Sequence, residues 1–394
     1  MNKKILIIGP GNIGRALIGN IFYHGGYDII FYGVTKEKVD LLKKQKEYLI
    51  ETIHSNAKAT YEYIPVYDAV HKDEREKTID IFSNVDLVAC PIYSGAFDDT
   101  CKLIADGIRV RCRKTDRPQN ILLVVNELDA TEYFREKIGS LLSDDPIALE
   151  YMNHKVGFPL SLAMKLGCKA SEYALELDKC AVATYRGGGI HIDKEDFIGD
   201  LDVRNVKFVH QARIHMIRKI WCGNMVACLL AFMGSYYGLT NTVDCAKDER
   251  FIHVAKKAIR ESIEALTKKY RFLADDNDES MRFLLDVLDM PVNDSVYRVT
   301  NRQIKKLSHD DRFIGPALMC YEQGIVPENI AIGIAYGFKF YNPNDAESIE
   351  LNDYLKENGL EKAMVHFCGL PEEHDLIKLV RKYYDKIEDG TCLS

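Results

Sequence analysis

The chain has 394 residues, of which 47% are hydrophobic and 28% are charged, and its formal net charge is −7. This balance predicts a globular protein with two or three buried cores and excludes disordered and fibrous classes. Because lysines and arginines are dispersed along an acidic chain, we expect no nucleic-acid partner and no attachment to an anionic membrane.

The cysteines and the apolar segments indicate where the protein works. Eleven cysteines are spread along the chain without a CxxC pair, which is typical of reduced thiols in the cytoplasm. We therefore expect no disulfide, no metal site and a cytoplasmic monomer or small homo-oligomer. The uncharged segment from Ile220 to Leu239 is long enough to cross a bilayer, but its glycines and polar residues favour a buried helix.

Residues 1 to about 130 alternate short apolar runs with amphipathic stretches, and the character of the sequence changes after about residue 200. The segments KILIIG, DIIFYG, VDLVAC and NILLVVN have the length and composition of strands, and KEKVDLLKKQ has the apolar spacing of a helix. Strands that alternate with helices predict a parallel sheet covered on both faces. We therefore assign residues 1–200 to an α/β domain.

Beyond residue 200 apolar residues recur at three- and four-residue spacing, which predicts helices. The predicted helical segments are VRNVKFVHQARIHMIRKI, DERFIHVAKKAIRESIEALTKKY, SMRFLLDVL and NDYLKENGLEKAMVHFCGL. Residues 201–394 are therefore predicted to form a mostly α-helical C-terminal domain that carries the substrate site.

A glycine-rich loop directly follows the first predicted strand, where Gly9, Gly11 and Gly14 form the pattern GxGxxG. The first glycine permits a tight turn, the second lets the backbone approach a pyrophosphate, and the third lets helix and strand pack closely. We predict a Rossmann-like dinucleotide site at these glycines with Asn12 and Ile13. The alternative is an ordinary strand-turn-helix unit.

The end of the second predicted strand bears on the choice of cofactor. Gly33 occupies the position where an Asp or Glu binds the ribose 2′-hydroxyl of NAD. Without that carboxylate a 2′-phosphate meets no repulsion, and Thr35 and Lys36 are its candidate ligands. We therefore favour NADP slightly over NAD, with the alternative that Thr35 and Lys36 only begin the next helix.

Three sets of segments identify a family when they are taken together. They occur in this order over nearly the whole chain: GPGNIGRALIG, then VNELDATEYFREKIG followed by NHKVGFPLSLAMKLG, and then VYRVTNRQIKKLSHDDRFIGP. They resemble the polyol-specific long-chain dehydrogenases, in particular the branch of the mannitol-1-phosphate 5-dehydrogenases.

The resemblance implies roles for three residues. The family carries a Lys, an Asn five residues later and a His three residues further, and Lys219 and Asn224 match the first two. Lys219 would be the general base, which requires a lowered pKa, while Asn224 and Asn126 would donate to the developing alkoxide. On an α-helix the three family positions span an arc of about 140°. The alternative is that Lys219 extends toward solvent and Asn224 bonds to a neighbouring helix.

Several positions depart from the family pattern. Ala227 occupies the position of the family His. Leu160 and Met164 are apolar where the family has an Asn and an Asp. Lys165 replaces an Arg, and Val125 replaces an acidic residue. We expect a substrate with fewer hydroxyl groups at these points than mannitol, because unmatched polar groups are costly. These departures weaken mannitol 1-phosphate as the substrate.

A basic segment lies where the resemblance is strongest. Four basic residues lie within eleven positions of an acidic chain, and both side-chain types suit a phosphate monoester: Arg302, Lys305, Lys306 and Arg312. We predict that Arg302 or Lys306 binds an anionic group of the substrate or cofactor. The alternative is that Asp310 and Asp311 neutralise the cluster in ordinary salt bridges.

The sequence thus predicts an NAD(P)-dependent oxidoreductase. It would transfer hydride between nicotinamide and a secondary alcohol or ketone of a small sugar- or polyol-derived substrate, phosphorylated or not. The alternative from another functional class is a catalytically silent relative that binds a dinucleotide and acts as a sensor or scaffold.

Overall fold

The structure is a computed structural model that describes residues 2–54, 58–185, 187–276 and 294–393. The chain divides into two compact units, Met1–Met216 and Ile217–Ser394. This division lies beyond the predicted boundary at residue 200. The reason is the strand Val206–Val209, which pairs with Ile190–Asp193 and therefore belongs to the first unit.

The first unit contains a six-stranded parallel sheet in the order β5-β2-β1-β6-β7-β8. The order reverses between β1 and β6, as in doubly wound dinucleotide-binding folds. The side chains of β1 are buried from Ile5 to Ile8, as expected for a central strand covered on both faces. The six strands are β1 Lys3–Ile8, β2 Tyr27–Gly33, β5 Asp68–His71, β6 Leu87–Ala89, β7 Gln119–Leu122 and β8 Val156–Gly157.

Helices connect these strands, and the predicted helix KEKVDLLKKQ coincides with α2. The predicted α/β class is confirmed by this alternation. The α-helices of the first unit are α1 Asn20–His24, α2 Lys36–Gln45, α3 Arg75–Asn84, α4 Phe97–Lys114, α5 Ala130–Leu141, α6 Pro146–Lys155 and α7 Glu172–Leu177, and a short 3-10 helix covers Ser94–Ala96.

Two smaller sheets complete the first unit and were not predicted. One has the order β10-β11-β3-β4 and the other the order β13-β12-β9. Five of their seven strands have only three or four residues, so local alternation gave little signal for them, whereas the two seven-residue strands, which pair with each other, were missed in spite of their length. These strands are β3 Glu47–Ile53, β4 Ala59–Pro65, β9 Ser161–Ala163, β10 Gly167–Lys169, β11 Val182–Tyr185, β12 Ile190–Asp193 and β13 Val206–Val209.

The described part of the second unit is helical, which confirms the predicted change of character. Its core includes Leu229, Phe232 and Phe313, and the rings of Phe232 and Phe313 lie 5.7 Å apart. The α-helices are α8 Ala212–Arg218, which spans the division, α9 Met225–Tyr236, α10 Thr242–Cys245, α11 Glu249–Lys269, α12 Val296–Thr300, α13 Gln303–Lys306, α14 Ile314–Glu322, α15 Glu328–Lys339, α16 Ala346–Asn358, α17 Leu360–Cys368 and α18 Asp375–Glu388, with a 3-10 helix at Arg271–Asp276.

Two of the predicted helices need correction. The segment VRNVKFVHQARIHMIRKI begins with β13 rather than a helix, because its first apolar residues pair with β12. The segment NDYLKENGLEKAMVHFCGL is divided at Gly359, whose φ of 83° ends one helix and starts the next. The predicted helix SMRFLLDVL lies outside the described residues.

The uncharged segment belongs to a continuous helix, Ala212–Tyr236. Among the described residues it is the one helix whose length and composition would allow it to cross a membrane, and 78% of its most apolar window is buried inside the protein. It is therefore a core helix, as its glycines and polar residues predicted.

Candidate active site

The glycine loop has the backbone features that a pyrophosphate requires. Gly9 has a φ of +112°, and a Cβ at this position would lie 2.9 Å from the carbonyl oxygen of Pro91. A Cβ on Gly14 would overlap the Gly9 carbonyl group, whereas one on Gly11 would meet no atom within 4 Å. Gly9 and Gly14 are thus needed by the fold, while Gly11 presents open backbone. The loop fits a dinucleotide.

The helix that follows the loop begins with a π-helical turn, Gly14–Gly19. The hydroxyl of the buried Tyr48 donates to the carbonyl oxygen of Arg15 at 2.8 Å, which gives that carbonyl a partner outside the helix. A Cβ on Gly19 would collide with the same hydroxyl. A tyrosine from a distant strand therefore shapes this turn. From the sequence we expected only an ordinary helix.

Other predicted residues lie at the same edge of the parallel sheet. β1, β6 and β7 are parallel, so the segments that follow them meet at one edge. Asn126 follows β7 and is exposed. The chain before it is held by hydrogen bonds of Leu123 to Pro159 and Ser161, at 3.0 and 2.9 Å. Asn126 and the glycine loop thus share the edge at which such folds bind cofactors.

The end of β2 also belongs to this edge. Gly33 closes β2, and Thr35 immediately precedes α2 without a side-chain hydrogen bond that caps the helix. Thr35 and Lys36 are both exposed. Neither forms an ion pair or a side-chain hydrogen bond with another described residue. Their polar groups are therefore accessible to an anion.

Lys219 and Asn224 are the two ends of a second π-helical turn, Lys219–Asn224. In such a turn hydrogen bonds run from residue i to residue i+5, so the first and last residues lie one above the other. This differs from the α-helix expected from the sequence, in which the two side chains diverge by about 140°. The π turn brings Lys219 and Asn224 closer to one face than the α-helical spacing predicted.

The environment of Lys219 suits a proton acceptor. Its side chain is partly buried, and removal from water lowers the pKa of Lys219 to about 8. A lysine at its ordinary pKa of about 10.4 is almost fully protonated at neutral pH, whereas a pKa of about 8 leaves roughly a tenth of the amines neutral at pH 7. The lowered pKa is the property that the family resemblance required.

The basic segment approaches the same helix. Burial lowers the pKa of Lys306 to about 8, and the thiol of Cys228, one helical turn after Asn224, is among the groups that act on its charge. The indole of Trp221 donates to the carbonyl oxygen of Asp310 at 3.3 Å. The π turn and the basic segment are therefore neighbours within the second unit.

The predicted anion-binding pair is divided by its contacts. Lys306 is buried and Arg302 is largely exposed, with its Nε 3.1 Å from the Glu347 carboxylate. Arg312 forms an ion pair with Asp311 at 2.6 Å, and both side chains are largely buried. Arg302 and Arg312 thus have carboxylate partners, and Lys306 is buried near Cys228 of the helix that carries Asn224.

The substituted family positions have different surroundings. Leu160 is buried in the first unit, where its backbone carbonyl accepts from Asp193 at 3.0 Å, and Met164 is partly buried. Ala227 is exposed, although its neighbours in α9 from Met225 to Gly234 are otherwise buried. The methyl group of Ala227, three residues after Asn224, is therefore accessible. No group of three or more potential metal ligands occurs in the described part of the chain.

The chain matches two family models. One is described as the mannitol dehydrogenase Rossmann domain and covers residues 3–183, and the other as the mannitol dehydrogenase C-terminal domain and covers residues 214–389. The chain belongs to the mannitol dehydrogenase family. This confirms the resemblance found in the sequence, and with it the prediction of a nicotinamide-dependent oxidoreductase of the polyol dehydrogenase type.

Curated relatives and solved structures agree with this family. The chain is 30% identical over 392 residues to a mannitol-1-phosphate 5-dehydrogenase of Caldanaerobacter subterraneus subsp. tengcongensis, with 98% of each chain covered. It is 28% identical over 388 residues to the enzyme of that name from Thermoanaerobacter pseudethanolicus, again with 98% of each covered.

Two polyol dehydrogenase structures share the fold of the described chain. A substrate-free D-sorbitol dehydrogenase superposes with a TM-score of 0.77 at 15% identity, covering 99% of this chain and 94% of that one. The mannitol 2-dehydrogenase of Pseudomonas fluorescens, in a ternary complex with NAD and D-mannitol, gives a TM-score of 0.77 at 14% identity, covering 100% and 93%.

Proposed function

We propose that this protein oxidises a secondary alcohol of a phosphorylated polyol, or reduces the corresponding ketone, with Lys219 as the proton-transferring residue. The observation that carries this proposal is the pKa of Lys219, about 8, on the π turn that ends at Asn224. Removing a lysine from water is costly, and a lowered pKa at this position is what a proton-transferring amine requires.

The residues of this chain would divide the reaction between them. In the oxidising direction the neutral amine of Lys219 accepts the proton of the alcohol. The side-chain amide of Asn224 donates to the oxygen as negative charge develops, and the family resemblance assigns Asn126 as a second donor. Gly9 and Gly11, with the adjoining Asn12, Ile13 and Gly14, would hold a nicotinamide dinucleotide, which would supply hydride transfer to or from the substrate carbon.

A phosphorylated substrate is supported by two observations. The two curated relatives described above are named mannitol-1-phosphate 5-dehydrogenases. Lys306 lies beside the helix that carries Asn224, whereas Arg302 is engaged by Glu347 at the surface. We therefore propose Lys306 as the principal anion-binding residue and Arg302 as a secondary one. The changes at Leu160, Met164 and Ala227 favour a polyol phosphate with fewer hydroxyl groups than mannitol.

The proposed cofactor is NADP(H), bound at least as well as NAD(H). Position 33 has no carboxylate, and the exposed Thr35 and Lys36 follow it at the start of α2. A preference for NADH of about tenfold or more would contradict this choice. A cytoplasmic location, expected from the cysteines, and a monomeric or small homo-oligomeric state remain predictions.

The experiment is a substrate screen in which turnover is measured from the absorbance of the reduced nicotinamide. Purified protein is mixed with NADP or NAD and a panel of polyols, polyol phosphates and the corresponding ketoses. Turnover of a phosphorylated member that disappears in Lys219→Ala, with the dissociation constant of the dinucleotide unchanged, supports the proposal. Dinucleotide binding without turnover of any panel member would instead favour the catalytically silent relative.

A substitution pair separates the two basic residues. Lys306→Met should raise KM for the phosphorylated substrate by about tenfold or more, and Arg302→Met should raise it less, because a lost contact to a charged group costs about 1.5–3 kcal/mol. Equal increases for a phosphorylated substrate and its neutral counterpart would show that Lys306 only maintains the fold.

A further inference from the structure

The absence of an acid at position 33 has a structural cause within the glycine loop. Gly33 pairs with His71 of β5, and its carbonyl oxygen accepts from the backbone N–H of Lys72 at 3.1 Å. The backbone of Tyr32 is bound to Gly9 on the other side, at 2.9 Å. Residue 33 is thus held by the sheet and cannot move away to accommodate a side chain.

A side chain at position 33 would collide with two residues. A Cβ there would lie 2.9 Å from Cγ and 3.1 Å from Cδ of Pro10, and 2.9 Å from Cγ2 of Val39. These distances are shorter than van der Waals contacts between carbon atoms. An Asp or Glu at position 33 therefore requires one or both neighbours to move.

The two neighbours differ in their freedom to move. Val39 can change its side-chain torsion, although the alternatives are unfavourable in a helix. Pro10 has a closed ring and no such torsion. Its carbonyl oxygen accepts from Nε of Arg15 at 2.9 Å. Arg15 is itself buried and also donates to the carbonyl oxygen of Cys180. Pro10 therefore cannot move to make room for a side chain at position 33.

We propose that Pro10 is a determinant of cofactor selectivity. By occupying the space beside Gly33 it excludes the carboxylate that would bind a ribose 2′-hydroxyl, and it leaves the end of β2 open to a 2′-phosphate. This inference rests on the proposed use of NADP(H), but it makes a separate claim: positions 10 and 33 are energetically coupled. Selectivity for NAD cannot be restored at position 33 alone.

The test is a double-mutant cycle with a matched control. The proteins are wild type, Gly33→Asp, Pro10→Ala, Pro10→Ala/Gly33→Asp and Val39→Ala/Gly33→Asp. For each, the dissociation constants of NADH and NADPH are measured by fluorescence titration, and Tm is measured without cofactor. Gly33→Asp alone should lower Tm and weaken both dinucleotides. In the Pro10→Ala background the same substitution should shift the NADPH to NADH preference toward NADH by about tenfold or more.

Three outcomes overturn the inference. They are an equal shift in Gly33→Asp alone, an equal shift in the Val39→Ala control, and no shift in a well-folded Pro10→Ala/Gly33→Asp protein. If the aspartate prevents folding, Gly33→Ala tests the steric part without charge. It should lower Tm in the wild-type background and lower it less with Pro10→Ala, and an equal decrease in both contradicts the coupling.

The wild-type measurement stands apart from the cycle. A wild-type protein that prefers NADH refutes the proposed use of NADP(H), while the coupling between positions 10 and 33 is still determined by the variants.

Discussion

Both units contain a π-helical turn beside the residues assigned to chemistry, yet the two turns differ in what they present. In the first unit Gly14–Gly19 follows the glycine loop, in which Gly11 presents open backbone. In the second unit Lys219–Asn224 has at its two ends the side chains proposed for catalysis. A backbone site leaves a record in the sequence as glycines at fixed spacing. A side-chain site depends on burial and helix geometry, which leave no such record.

The difference also concerns what shapes each turn. The first turn has an identifiable external partner, the hydroxyl of Tyr48, which donates to the carbonyl oxygen of Arg15. The second is covered by packing, since a Cβ on Gly315 would lie 2.5 Å from the ring of Trp221. Substitutions that alter the geometry of one turn at a time should therefore separate catalysis from cofactor binding.

The largest effect is expected from inserting one alanine between Cys222 and Gly223. Lys219 and Asn224 would then be six residues apart, and at about 100° per residue their side chains diverge by about 120° instead of sharing one face. Turnover should fall by about two orders of magnitude or more, the scale of losing a base or an oxyanion donor. Steady-state kinetics measures the loss, and circular dichroism with Trp221 fluorescence monitors the fold. The matched control Cys222→Ser keeps the helix length, and an equal loss in that variant would contradict this role of the turn.

The pH dependence tests the second turn without altering it. Because the neutral amine of Lys219 is the base, kcat/KM for alcohol oxidation should rise about tenfold per pH unit below the pKa and level off above about 8. Ketone reduction, which needs the protonated amine, should fall above the same pH. Lys306 also has a pKa of about 8, so the profile is repeated with Lys306→Met. A limiting pKa near 10 would show that Lys219 is an ordinary lysine.

The first turn is tested by comparing two glycines. Gly11→Ala should raise the dissociation constant of the dinucleotide by about tenfold or more and leave Tm unchanged, because the added methyl group meets only the ligand. Gly14→Ala should lower Tm as well, since the methyl group would overlap the Gly9 carbonyl group. Fluorescence titration and thermal unfolding measure both quantities. Normal binding by Gly11→Ala would remove the assignment of the loop to the pyrophosphate.

The smallest effect is expected from Tyr48→Phe, which removes the hydroxyl that donates to Arg15. Loss of the hydrogen bond to a buried carbonyl group costs about 1–3 kcal/mol, so Tm should decrease. The kcat of the enzyme saturated with cofactor and substrate should not change. Gly19→Ala should be less destabilising in Tyr48→Phe than in the wild type, because the colliding oxygen is gone. Strictly additive changes in Tm would argue against Tyr48 as the residue that shapes the first turn.

Local pattern was sufficient for several features. The apolar strand before Gly9 and the spacing of Gly9, Gly11 and Gly14 predicted the dinucleotide fold, because backbone requirements at a tight turn admit few residues. The helices α2 and α11 were predicted from apolar spacing that the structure reproduces. The family itself followed from motifs in the correct order. In each case interactions between residues that are close in the sequence determine the feature.

The tertiary structure alone decided the remaining features. Residues Val206–Val209 were predicted to be helical but form β13, because their pairing with β12 outweighs the local apolar periodicity. The lowered pKa of Lys219 depends on burial by distant segments, and the π turn depends on how its helix is packed. Pro10 beside Gly33 is a contact between the loop after β1 and the end of β2. Residue types that can perform the chemistry are recorded in the sequence, whereas their spacing and their exposure to water are properties of the folded chain.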